Sequence, residues 1–465
     1  MSRKLISVKA MSLITASLVA MGALGAISPA KAAVDCTSAT TDTDECTVIV
    51  INTFGDVILP GLQAEYRRLH PEVKLSVKKM ELDALNGTGL YNQCYAGGAG
   101  NPDIAAVEIS YSGFWRAYPQ CFVDLKTMRT SVGNKSASDL KSQYLSWRWA
   151  HGVGYNGNVI GIPTDVGGLE VAYRWDLFKK AGLPYKREDV SKAWDTWPKF
   201  IEFGKKYNLK RTAAQKKANY GFMDNVGTIY SAVLNQGTEK YYRNNGTNQG
   251  LLIYKTNKQV KLAYDLTISA SKAGIGTRIG QFSSDWNVGM TKGAFAAMLA
   301  PAWMMDYIKG QASDTAGKWD IADIPGPGGN QGGSQLTMPI QKLATTEEGR
   351  AFQVRRKQAA WDFITWYLAP AQQLKAFQTY GLFPSTPSLY NDPDLVGYKD
   401  PFFNNAPVGK IYVDGVKALK PIFEGKLQRC IDMAMGSAIS LVANGKEKDA
   451  NKAFQKGMTA AGKCK

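Results

Sequence analysis

Two α/β lobes, each a sheet flanked by helices, are what this sequence predicts. Three observations carry the prediction. The chain has 465 residues, 45% of them hydrophobic, more than one compact core usually accommodates. A continuous β-branched run near residue 47 leads into helical and then alternating spacing, the grammar of a doubly wound sheet. A second block of strand and helix signals opens near residue 161.

The chain begins with a basic cluster (Arg3, Lys4, Lys9), an apolar stretch over residues 11–27 and Ala30-Lys31-Ala32, which fits an A-x-A cleavage site. Ser12, Thr15, Ser17, Gly22 and Gly25 interrupt the stretch and no stop-transfer charges follow, so residues 1–32 are expected to be a signal peptide rather than a membrane span. Export follows, and a chain in an oxidising compartment pairs its cysteines. Six are present, Cys36, Cys46, Cys94, Cys121, Cys430 and Cys464, and six allow 15 connectivities. Proximity along the chain suggests Cys36 with Cys46, Cys94 with Cys121, and Cys430 with Cys464. Asp35 stands where a lipoprotein signal needs a small residue, so Cys36 is read as a disulfide cysteine and the protein as free in the periplasm.

The formal charge is +17, and the first 33 residues contribute four basic residues to it and no acid. Nucleic acid is not the expected partner, because the Lys and Arg residues are spread along the chain and the densest runs, such as Lys205-Lys206 and Lys216-Lys217, are short. Attraction to an anionic envelope surface is a secondary expectation.

Residues 47–52 form the first strand; Ile58, Leu62, Tyr66 and Leu69 recur at helical spacing until His70-Pro71; Val73, Leu75 and Val77 then alternate as a second strand. Residues 102–107 form a third after a Gly-rich loop. The second block runs from Gly161-Ile162-Pro163 through residues 169–173 to a helix from Trp175 closed by Gly182. Thr196 reads as an N-cap before Trp197-Pro198. Residues 325–333, rich in Gly and Pro, are a loop and the clearest linker. Trp361, Ile364 and Leu368 fall on one helical face and are read as core.

Five segments in register resemble the extracellular solute-binding proteins of family 1, the sugar-binding group. They are Pro102-Asp103-Ile104; residues 161–165 continuing to 171–178; residues 195–200; residues 292–298 with Trp303; and Gly332-Gly333-Ser334 with residues 359–368 and 380–384. Arg174 stands where the family usually has asparagine. The resemblance implies a two-lobed periplasmic-binding-protein fold, type II-like, with interlobe hinge strands. Lobe I is expected over 33–163 plus about 335–375, and lobe II over 164–334 plus about 376–465. It implies the substrate-binding component of an ABC importer, monomeric and without cofactor, metal or catalysis, whose partners are a small carbohydrate and the membrane permease.

Open α/β sheets bind ligands beyond the carboxyl ends of their strands. A sugar needs bidentate polar partners for its hydroxyls and an aromatic plate for its C–H face. Phe54 and Asp56 after the first strand, and Glu108, Ser110 and Tyr111 after the third, are therefore candidate ligand residues. The others are Asp165, Gly167 and Gly168 in the hinge; Asn225 and Tyr230 after Phe222-Met223; Trp286; Trp303, which the resemblance places against the sugar ring; and Gly333 and Ser334. A polyol, phosphorylated polyol or anionic sugar is the alternative ligand, for which an arginine at the site would speak. A secreted glycoside hydrolase, needing only two carboxylates, is the alternative of another class. Only His70 and His151 are present, and no H-E-x-x-H, G-x-S-x-G or P-loop pattern occurs.

Overall fold

A computed structural model describes residues 34–465; the expected signal peptide lies outside the described residues. In chain order the strands are β1 (Thr47–Thr53), β2 (Val73–Lys79), β3 (Ile104–Glu108), β4 (Gly161–Pro163), β5 (Leu169–Arg174), β6 (Gly221–Met223), β7 (Tyr242–Arg243), β8 (Leu251–Leu252), β9 (Phe295–Pro301), β10 (Trp319–Ala322) and β11 (Ser334–Thr337). Two sheets result. The first has the order β2-β1-β3-β11-β4 and the second β10-β5-β9-β6, with β7 and β8 as a separate hairpin.

The first sheet forms because β3 is apolar on both faces, all residues from Ile104 to Val107 being fully buried, while β1 buries Ile49 and Ile51 on one face. Helix Pro60–Leu69 covers it with Leu62 and Tyr66 and stops at His70, as the spacing predicts. Trp361, Ile364 and Leu368 pack into the same core. In the second sheet β9 is buried throughout, and a cluster of Phe178, Trp194, Phe200, Phe203 and Phe222 fills one face. Helix Trp197–Leu209 begins after Thr196, which has extended backbone but makes no side-chain capping bond, so Pro198 and the buried Trp197 set that start instead. All three disulfides join the cysteines that proximity pairs, and the third fastens the C-terminal helix Ala450–Ala461 to helix Gln428–Ala443.

The first sheet is not purely parallel. β11 runs antiparallel to both β3 and β4, because the chain returns to this sheet after building most of the second one. Three segments link the two lobes. Residues 164–168 join β4 to β5, residues 330–333 lead back into β11, and the stretch around Phe383 and Pro384 lies beside the first, with Val166 N–H donating to Phe383 O at 2.8 Å. The Gly/Pro stretch over 325–333 is irregular but not a free linker: Gln236 Nε2 donates to Pro325 O and Gly328 O, both at 2.7 Å.

Candidate functional site

Strand directions place the site. β1, β3 and β4 run one way and β11 the other, so the ends of the first three and the start of β11 share one edge. In the second sheet the ends of β6, β9 and β10 share an edge with the start of β5. The linking segments join these two edges, so they face each other across the gap between the lobes.

On the first edge Glu108 ends β3 and caps helix Ile109–Arg116, accepting from Ser110 N–H at 2.8 Å and from the Ser110 hydroxyl. Burial pushes its carboxyl up to about 7; Ser110 opposes this, Glu424 adds to it and Arg429 lowers it. A glutamic acid at that value both donates and accepts. Between about 4.5 and 7 the folded chain keeps a proton the unfolded chain has released, so this group's contribution to stability falls as pH rises through that window. Replacing Glu108 with Gln is expected to flatten the decline in unfolding free energy of the ligand-free protein from pH 4.5 to 7, measured by urea titration at each pH; parallel profiles for the two proteins would refute the burial of this carboxyl.

Phe54 is half-buried between the two apolar clusters of its lobe, and Asp56 is exposed and paired with Lys79 at 2.7 Å. Asp306, in the opposite lobe, has its carboxyl raised by burial; Lys309 opposes, and the charge of Asp56 adds to the rise. Tyr111 is buried and donates to Asp83 at 2.6 Å. Arg429 lies 4.4 Å from its ring centroid and donates to the same carboxylate at 2.6 Å.

On the second edge Trp303 follows β9, half-buried, with Nε1 donating to Gln331 O at 3.2 Å. Phe282 lies near it, ring centroids 6.5 Å apart and planes within 20°. Phe282 is 52% exposed and sits in the left-handed region at φ 64°, a strained state that a non-glycine residue holds only where its surroundings fix it. Asn225 follows β6, with Oδ1 accepting from Gly227 N–H at 2.8 Å.

Several of the expected ligand residues carry structural contacts of their own. Tyr230 is buried inside helix Thr228–Asn235, whose apolar face joins the core, and its hydroxyl bonds that of Tyr241 at 2.9 Å. Trp286 is fully buried and donates to Asp224 at 3.1 Å; burial pushes that carboxyl up to about 6. Asp165 and Ser334 satisfy one another, Ser334 N–H donating at 2.9 Å and its hydroxyl at 3.1 Å to Asp165 Oδ1. Gly167 and Gly168 allow close chain packing: a Cβ on Gly167 would stand 1.9 Å from Gln331 O, and one on Gly168 would stand 2.8 Å from Val416. Gly333, at φ 107°, is hemmed by Asp165 O and Arg148. These hinge residues hold the linking segments together.

Sequence reasoning missed Phe282, Arg429, Arg148 and the strap over residues 419–424. A narrow interlobe space is lined by Ile109, Trp147, His151, Asn330, Ile422 and Glu424, among others. Asn330 Oδ1 and Glu424 Oε2 are buried there with no partner among the described residues, as is Gln331 Oε1 nearby. Arg148 donates to His151 Nδ1 at 3.1 Å, which leaves the proton of the neutral ring on Nε2. A surface groove of about 570 Å³ among Tyr66, His70, Tyr144 and Trp366 lies on the outer side of lobe I, away from the strand ends that build this site.

The family profile described as bacterial extracellular solute-binding protein matches residues 95–402. A lactose-binding protein of Rhizobium radiobacter is 30% identical over 173 residues, 36% of this chain and 37% of that one, so the chain spans little more than a third of that relative. An arabinooligosaccharide-binding protein of Bacillus subtilis is 24% identical over 338 residues, 70% of each chain. A crystal structure of a member of extracellular solute-binding protein family 1 superposes with a TM-score of 0.73 at 30% identity, covering 90% of this chain and 99% of that one. The chain belongs to the bacterial extracellular solute-binding protein family.

Proposed function

We propose that this protein is the substrate-binding component of an ABC importer, capturing a mono- or oligosaccharide between its lobes and delivering it to the membrane permease. One observation carries the reading. The facing strand edges bring together an aromatic surface, Trp303 with Phe282, a carboxyl raised toward neutrality, Glu108, and buried acceptors without donors, Asn330 Oδ1 and Gln331 Oε1. A sugar supplies what each lacks: a C–H face for the rings and hydroxyl donors for the acceptors. The names of the lactose- and arabinooligosaccharide-binding relatives support the same ligand class. Arg429 is the arginine that could favour an anionic sugar, but Asp83 already neutralises it, so a neutral ligand fits better. The protein works outside the cytoplasmic membrane, as a monomer and without catalysis.

Thermal shift against mono-, di- and trisaccharides tests this. A ligand at about 100 times its dissociation constant stabilises by roughly 2.7 kcal/mol, which moves the transition visibly. A flat panel of sugars alongside a response to phosphorylated polyols would overturn the neutral-sugar reading. Product release from oligosaccharides with steady turnover would replace it with hydrolysis.

A further inference from the structure

Three helical segments of lobe II carry the net charge of the described protein. Residues 197–218, 255–274 and 444–465 hold 17 of the Lys and Arg residues and 4 acids, a net +13. The whole chain is +17 with four uncompensated basic residues before residue 34, so the remainder of 34–465 sums to zero. The segments are spatial neighbours. Helix Lys258–Lys272 packs beside helix Trp197–Leu209; on its other flank Tyr264 donates to Ala450 O at 2.8 Å and packs against Phe454 with the rings tilted, centroids 5.0 Å apart. Lys205, Lys206, Lys210, Lys216, Lys217 and Lys272 are all exposed, and two leucines stand among the lysines in contact with water, Leu209 at 77% and Leu262 at 48%.

We propose that this outer helical face of lobe II docks on anionic phospholipid. Composition favours a bilayer over nucleic acid. Sixteen of the 17 basic residues are lysine, hydrated point charges suited to a diffuse anionic surface, and the single Arg211 is turned inward onto the Asn208 and Tyr220 carbonyls. Nucleic-acid faces present arginine forks and aromatic plates to the ligand; here the exposed apolar residues are the two leucines, which suit a headgroup boundary. Concentrating the carrier at the membrane raises its encounter rate with anything embedded there.

The test is flotation of the purified protein with vesicles of phosphatidylcholine containing phosphatidylglycerol, against phosphatidylcholine alone. Binding is expected with the anionic vesicles only, falling steeply between about 50 and about 300 mM salt. The combined variant Lys206→Gln, Lys210→Gln, Lys216→Gln and Lys217→Gln is expected to lose roughly 600-fold in partitioning, since each lysine at an anionic surface is worth about fivefold. A control removing the same charge from lobe I, Lys78→Gln, Lys135→Gln, Lys141→Gln and Lys357→Gln, is expected to lose less than about tenfold. Equal losses in the two variants would reduce the effect to net charge and overturn the docking face. So would equal binding to phosphatidylcholine alone, or capture by a soluble polyanion without vesicle binding. Sugar-induced thermal shift, read on the same samples, stays intact in both variants whichever way docking falls, which separates this proposal from the one on sugar capture.

Discussion

Trp303→Ala is expected to weaken sugar binding by roughly 30- to 1,000-fold, the 2–4 kcal/mol typical of removing a central aromatic anchor, with the far-UV spectrum unchanged. The geometry sets that size. Trp303 sits where β9 ends and helix Met304–Gln311 begins, so its backbone is fixed by two regular elements. Its indole N–H is held by Gln331 O, and a Cβ on Gly332 would come within 2.8 Å of Nε1. The ring is therefore oriented before any ligand arrives, and little ordering entropy is lost on binding. Trp303→Phe keeps a plate and loses only the hydrogen bond, so it is expected to bind within about tenfold of the parent. Isothermal titration with the best sugar from the thermal panel measures both. Unchanged affinity in the alanine variant would remove Trp303 from the site.

Much of the fold was legible because burial writes itself into periodicity. The runs at β3 and β9 are apolar on both faces, and such segments have few alternatives to a covered sheet; β1 buries Ile49 and Ile51 on one face and leaves Val50 exposed. Cysteine pairing followed chain proximity because each bridge closes a loop of at most 34 residues. The site was only half legible. Position after a strand end puts Glu108, Trp303 and Asn225 on facing edges, whereas Tyr230 and Trp286 are buried in the core. Their segments form helices with an apolar side, and an aromatic there fills the core. Phe282 escaped notice because nothing in Gly280-Gln281-Phe282-Ser283 announces a positive φ. Arg429 and the strap near Glu424 reach the site from the far end of the chain, a contact that local spacing does not encode.

Arg148 is the other residue whose loss is expected to be severe, this time in stability. It is 1% exposed in the short helix Ser146–Ala150. Its Nε donates to Asp165 O at 3.0 Å and Nη2 to Ser334 O at 2.6 Å, so one guanidinium fastens two segments that link the lobes. Arg148→Met keeps the apolar stem and removes the donors. Each bond from a charged group is worth about 1.5–3 kcal/mol, and the buried charge removed with them returns part of that. The net expectation is a loss of roughly 2–4 kcal/mol in urea unfolding. Arg148→Lys should fall between, because an ammonium lacks the planar fork that meets both carbonyls at once. Sugar affinity separates fastening from ligand contact. If Arg148 acts only on the linking segments, the methionine variant binds within a few-fold of the parent once folded; a loss of affinity matching that of Trp303→Ala, with stability preserved, would instead make Arg148 a ligand residue. Asp165 and Ser334 favour the first outcome, since the carbonyls of both already receive the arginine while their side chains bond each other, leaving the hinge a closed set of partners into which a sugar hydroxyl would have to intrude.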